Sequence, residues 1–254
     1  MTSYSRIAAV SIGPHRLYLG DAYAIRPTLG WMDADVTDPP YAFDNSGGGT
    51  FRKSREGANR IVEEGLDRGF DRSIIDASRS GAVVVFCHNN QLGDLIAELA
   101  KDDREQDALL VADMFAHLRP RFHRAVLGVW IKPNPSPMAN KNYLADMEPY
   151  IHAWNRGYHP QGEHHDKHRW IQCGTIRTSV FDHPTVKPAE LMDKIARNVA
   201  GITVCDPFMG TGSTGVAAIK AGKIFTGIEH NPTHFATAVQ RITEAWEISQ
   251  REAA

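Results

Sequence analysis

Residues Gly81-Ala82-Val83-Val84-Val85-Phe86-Cys87 form an unbroken apolar run rich in β-branched and aromatic side chains. A strand with one wet face alternates apolar and polar residues, so a strand with no polar position must be covered on both sides. Covered strands of this kind belong to parallel sheets flanked by helices, which makes the chain α/β. The other segments agree. Strands are expected at 16–21, 34–37, 125–131, 150–154, 202–205 and 224–228, and helices at about 56–78, 92–118, 188–199, 213–221 and 232–249. At 254 residues the chain is expected to be a single domain, 1–254. No apolar run reaches the roughly 18 residues of a membrane helix, and the N-terminal segment lacks the apolar stretch of a signal peptide. Three widely spaced cysteines, Cys87, Cys173 and Cys205, suit a reducing cytoplasm better than a disulfide framework.

Between the strand at 202–205 and the helix at 213–221 runs Asp206-Pro207-Phe208-Met209-Gly210-Thr211-Gly212-Ser213-Thr214-Gly215. Its glycines match the G-x-G-x-x-G spacing of a nucleoside-binding turn. Glu229 ends the next strand, where an acid can meet ribose hydroxyls. Two features separate this loop from a dinucleotide site. Only 39 residues follow Gly215, so the remaining strands must come from the N-terminal side and the sheet order is permuted. Asp206 stands directly before the loop, where a pyrophosphate would be repelled and a cationic ligand such as S-adenosylmethionine would be favoured.

Asp38-Pro39-Pro40-Tyr41 closes the strand at 34–37, at the end where open α/β sheets collect ligands. An exocyclic amino nitrogen is a poor nucleophile because its lone pair is delocalised into the base. Acceptors on both of its N–H groups localise that pair. Asp38 supplies a carboxylate, Pro39 a carbonyl held by its restrained φ, and Tyr41 an aromatic face for a base taken out of the duplex.

Together these segments resemble the β-class of bacterial and phage DNA amino-methyltransferases, in which the tetrapeptide precedes the glycine loop. Leu19-Gly20-Asp21-Ala22, Val129-Trp130-Ile131-Lys132-Pro133-Asn134, His183-Pro184-Thr185-Val186-Lys187-Pro188 and Gly227-Ile228-Glu229 are similar to further family segments in the same order. The resemblance implies a Rossmann-like methyltransferase fold with permuted motifs, S-adenosylmethionine as cofactor, double-stranded DNA as substrate and a place in restriction–modification. It implies Asp38, Pro39, Pro40 and Tyr41 as the catalytic set. It also implies a cofactor site built from Asp21, Ala22, Asp38, Thr185, Lys187, Asp206, Pro207, Phe208, Gly210, Thr211, Gly212, Ser213 and Glu229. Asp at the head of the tetrapeptide is closer to the adenine-N6 subgroup than to the cytosine-N4 one. Cytosine N4 and a non-catalytic DNA-binding subunit of the same fold stand as alternatives.

The net charge is −2, so bulk charge does not announce a nucleic-acid binder, but basic residues are clustered. Arg52, Lys53 and Arg55 follow the tetrapeptide through a glycine-rich loop and are expected to grip phosphate. The family's recognition region reduces here to a short insertion at about 158–180, in which His164, His165 and Lys167 are the candidates for reading DNA. Its histidines fit no standard zinc spacing, and no metal is expected. Lys132 and Asn134 are equally readable as substrate contacts or loop structure, whereas Trp154 and Trp170 are expected in the core. A homodimer is left open, and the host cytoplasm is the expected location.

Overall fold

A computed structural model of the chain describes residues 8–40, 70–87, 109–135, 144, 146–175 and 186–253. Among these residues nine strands, β1 (Ala8–Ile12), β2 (His15–Leu19), β3 (Met32–Thr37), β4 (Ser80–Phe86), β5 (Arg124–Ile131), β6 (Met147–Trp154), β7 (Trp170–Gln172), β8 (Thr203–Asp206) and β9 (Ile224–Glu229), form one sheet in the order β1-β2-β9-β8-β3-β4-β6-β5-β7. From β2 to β4 every neighbouring pair is parallel, and antiparallel pairing enters at β1 and on both sides of β6. The helices among the described residues are α1 (Ala22–Ile25), α2 (Leu109–Leu118), α3 (Ala189–Asn198), α4 (Ser213–Lys220) and α5 (Pro232–Glu252). No helix among the described residues is long and apolar enough to cross a membrane.

The apolar run on β4 does what its composition requires. Ala82, Val84 and Phe86 join a core with residues of α3, α4 and α5, whereas Val83, Val85 and Cys87 join a second core with Met114, Leu118 and Ile151 on the opposite face. Side chains alternate across the pleat, so both faces of this run meet an apolar core, and no polar residue interrupts it between Gly81 and Cys87. Permutation is visible in the sheet: β8, which carries the glycine loop, lies between β9 and the much earlier β3. All three cysteines are buried and unpaired.

Four expectations need correction. The helix expected to run to Ser78 does not cover its described end. There Asp71 caps a short 3₁₀ turn at Arg72–Ile74, and Asp76 accepts hydrogen bonds from Ser78 N at 2.8 Å and Ser78 Oγ at 2.7 Å. Such side-chain acceptors offer the backbone an alternative to helix, so the chain turns into β4. Strand β6 begins at Met147, three residues before the expected start, although Pro149 reads as a breaker. The Pro149 carbonyl still accepts from Cys87 N at 2.9 Å, so only its missing donor is lost from the ladder. Residues 170–172 are strand β7, paired with β5, so part of the presumed insertion belongs to the sheet. Trp170 is 54% exposed on that edge strand, whereas Trp154 is buried as expected.

A buried ion pair ties this frame together. Arg26, just after α1, makes a two-pronged contact with Asp35 on β3, Nε–Oδ1 and Nη2–Oδ2 both at 3.1 Å, and Nη2 also donates to Ser80 Oγ at 3.0 Å.

Candidate active site

The carboxyl ends of β2, β3, β4, β8 and β9 converge on a cavity of about 300 Å³. Its position follows from topology, because loops leaving adjacent parallel strands diverge there and open a crevice. Asp21, Asp38, Asp206 and Glu229 all reach this cavity, as do Ala22, Pro40, Lys187, Pro207, Phe208, Gly210, Thr211 and Ser213.

The glycine loop is shaped from within. Asp206 Oδ1 accepts from Phe208 N at 3.0 Å, and Asp206 Oδ2 from Thr214 Oγ1 at 2.6 Å, so one carboxylate spans the loop from strand end to helix start. Gly210 and Gly212 have φ of 53° and 84°, values that side chains with a Cβ rarely adopt. Glu229 closes the turn: its Oε2 accepts from Gly210 N at 2.8 Å and its Oε1 from Asn231 N at 2.7 Å. Gly227 beneath the loop admits Met209, whose sulfur would lie 2.2 Å from a Cβ at that position. Gly212 itself faces Ala238 and Ile242 of α5 and does not line the cavity. Burial pushes the Asp206 carboxyl up to about 7, against the hydrogen bonds from Thr214 and Phe208.

Asp38 follows β3, the strand beside β8, and lines the same cavity. The Lys187 ammonium pairs with Asp38 Oδ2 and with Glu148 Oε1, the latter at 2.8 Å, and lies 4.8 Å from the centre of the Phe86 ring. Glu148 Oε2 in turn meets Lys132 Nζ at 2.7 Å. Burial alone would lower the Lys187 pKa, but the two carboxylates outweigh it and hold the ammonium protonated well above its usual range. Burial likewise pushes Glu148 up, and Lys187 and Lys132 reverse the sign, leaving it below the usual carboxylate range.

Lys187 therefore belongs with Asp38 as much as with the cofactor pocket. Asp21 caps α1 by accepting from Tyr23 N at 3.0 Å. Pro39 is buried and does not line the cavity. Tyr41, Thr185, Arg52, Lys53 and Arg55 lie outside the described residues. His164, His165 and Lys167 are exposed on a 3₁₀ turn, His164–Lys167, anchored by the buried Asp166, which pairs with Arg197 at 2.8 Å. Asn134 serves loop structure, accepting from Thr175 N at 2.8 Å. Among the described residues, sequence reasoning missed Glu148, and also Tyr23, His230, Asn231 and His234, which line the cavity.

The DNA methylase family model matches residues 32–240. The chain belongs to this DNA methylase family. Among curated relatives, the DNA adenine methyltransferase YhdJ of Escherichia coli (strain K12) is 39% identical over 75 residues, covering 29% of this chain and 26% of that protein. The chain spans about half the length, or less, of the curated relatives it matches. Two solved structures share the fold. The M1.HpyAVI–SAM complex has a TM-score of 0.59 and 22% identity over 89% of this chain and 98% of its own. The PvuII DNA methyltransferase (cytosine-N4-specific) has 0.58 and 12%, over 92% of each chain.

Proposed function

We propose that the chain is an S-adenosylmethionine-dependent DNA methyltransferase that acts on an exocyclic amino group, adenine N6 in the first instance. The observation that carries this reading is the placement of Asp38 in the same cavity as Asp206 and Glu229. Asp206 and Glu229 suit a cationic nucleoside, and Asp38 presents a carboxylate to an amino group. When bound, S-adenosylmethionine supplies an electrophilic methyl group on a sulfonium.

The residues divide the work. Asp206 and Asp21 present negative charge toward the cofactor's cationic groups. The Asp38 carboxylate accepts an amino hydrogen, which localises the nitrogen lone pair and stabilises the positive charge that grows on nitrogen. Tyr41 stacks on the extruded base. The aspartate of the tetrapeptide and the likeness to an adenine methyltransferase support adenine. Cytosine N4 is the second reading, supported by the PvuII likeness. DNA in the cytoplasm of a bacterial or phage-infected host is the substrate, and restriction–modification the setting.

Asp38→Ala is expected to lower methyl transfer to duplex DNA by about 10²–10³-fold or more while leaving cofactor affinity nearly unchanged, because the interaction removed belongs to the transition state. Labelled-methyl incorporation and calorimetry measure the two, and mass analysis of the modified nucleoside separates N6-adenine from N4-cytosine. Near-normal turnover in Asp38→Ala overturns the assignment.

A further inference from the structure

Lys187 Nζ is shared between two carboxylates of different standing. Asp38, at the end of β3, faces the cavity, whereas Glu148, on β6, is buried behind it and does not line it. Glu148 is tied to the far side by Lys132, which lies 4.5 Å from the centre of the Trp130 ring. The order is Lys132–Glu148–Lys187–Asp38: two cations and two anions in a row, the inner pair buried.

This order sets a competition at Asp38. The ammonium of Lys187 is a stronger donor than a neutral amino group, since a charged donor makes a hydrogen bond roughly twice as strong. Held by Asp38 alone, it would take the electron density that the target amino group needs. Glu148 offers the same ammonium a second carboxylate, and Lys132 and the Phe86 ring limit how far either partner can shift.

We propose that Glu148 is a positioning residue for methyl transfer, holding Lys187 toward itself so that Asp38 can accept the hydrogens of the target amino group. The proposal rests on the methyl-transfer reading above. Glu148 touches neither substrate nor cofactor in this scheme; it acts through Lys187. With a neutral side chain at position 148, Lys187 has Asp38 as its one carboxylate in this row, and the amino group must displace it.

The test compares wild type, Glu148→Gln, Lys187→Met and the double variant. Glutamine keeps the shape of position 148 and removes only its charge. Glu148→Gln is expected to lower kcat for methyl transfer by about 10–100-fold, the scale of a small misplacement at a reacting centre. The affinity for S-adenosylhomocysteine and the KM for DNA should stay within about threefold. Adding Lys187→Met should make the glutamine change nearly silent, so that the double variant turns over no more slowly than Lys187→Met alone; coupling of this kind is what a double-mutant cycle isolates. A wild-type kcat in Glu148→Gln overturns the proposal. So do independent, multiplying effects, or a kcat loss matched by an equal loss of cofactor affinity, which would mean a general structural role.

Should Glu148→Gln fail to fold, Glu148→Asp keeps the charge but draws the carboxylate back from Lys187 and should lower kcat in the same sense. Failure of the methyl-transfer reading looks different, because the wild-type chain would then transfer no methyl to any duplex. In that event the unfolding midpoints of the same four chains decide: non-additive midpoints keep the Glu148–Lys187 coupling, and additive ones overturn it.

Discussion

Asp206 is expected to make cofactor binding strongly pH-dependent. The residue is 3% exposed, and burial raises its carboxyl pKa from 3.8 to about 7. That gap corresponds to about 4 kcal/mol of disfavoured ionisation. The sign follows from the direction. With the folded pKa above the unfolded one, the folded state binds this proton more tightly, so the contribution to stability is full below about pH 4 and is lost as pH rises through about 7. A cation beside Asp206 reverses the balance, because the ionised form gains an opposite charge in a dry site. Binding of S-adenosylmethionine should therefore release a proton below pH 7. Affinity should rise about tenfold per pH unit up to pH 7 and then level off, giving about a 30-fold difference between pH 5.5 and pH 8. Calorimetry in two buffers of different ionisation enthalpy counts the proton directly, about one per cofactor at pH 6. Asp206→Asn should bind more weakly at pH 8 and show neither the slope nor the proton. A flat profile in the wild-type chain, with no proton released, would refute the reasoning and mean that Asp206 stays neutral against the cofactor.

Other outcomes follow from the same structure. Arg26→Met leaves Asp35 buried without its two-pronged partner and should cost about 3–5 kcal/mol in urea unfolding, more than the paired change with Asp35→Leu; an equal or smaller cost would mean that Asp35 finds another partner. Neutralising Arg52, Lys53 and Arg55 together should weaken binding to all duplexes and flatten the log–log salt dependence by roughly 0.9 for each phosphate that is no longer neutralised. An unchanged slope would put the DNA on another face.

Much of the site was legible because its parts are local. A strand, a glycine turn and a helix sit within Thr203–Lys220, and the residue types needed for that turn are contiguous. The same holds for Asp38, which follows β3 directly, and for Glu229, which ends β9. The doubly covered sheet could be read from the apolar run on β4 alone. Elements whose signals conflict were not legible: Pro149 hid the start of β6, and Asp71 and Asp76 unmade the end of a helix.

The sequence by itself determined the fold class, the permuted order and the identity of the acids at the strand ends, because period, glycine placement and strand-end position are properties of consecutive residues. Only the tertiary structure decided which charges answer one another. Glu148 looks like any acid before a proline, and Lys187 lies 149 positions from Asp38. They meet because β6 runs antiparallel beside β4, which places Glu148 at the same end of the sheet as Asp38. Ion pairing depends on distance in space and on exclusion of water, and neither is written in the spacing of residues along a chain.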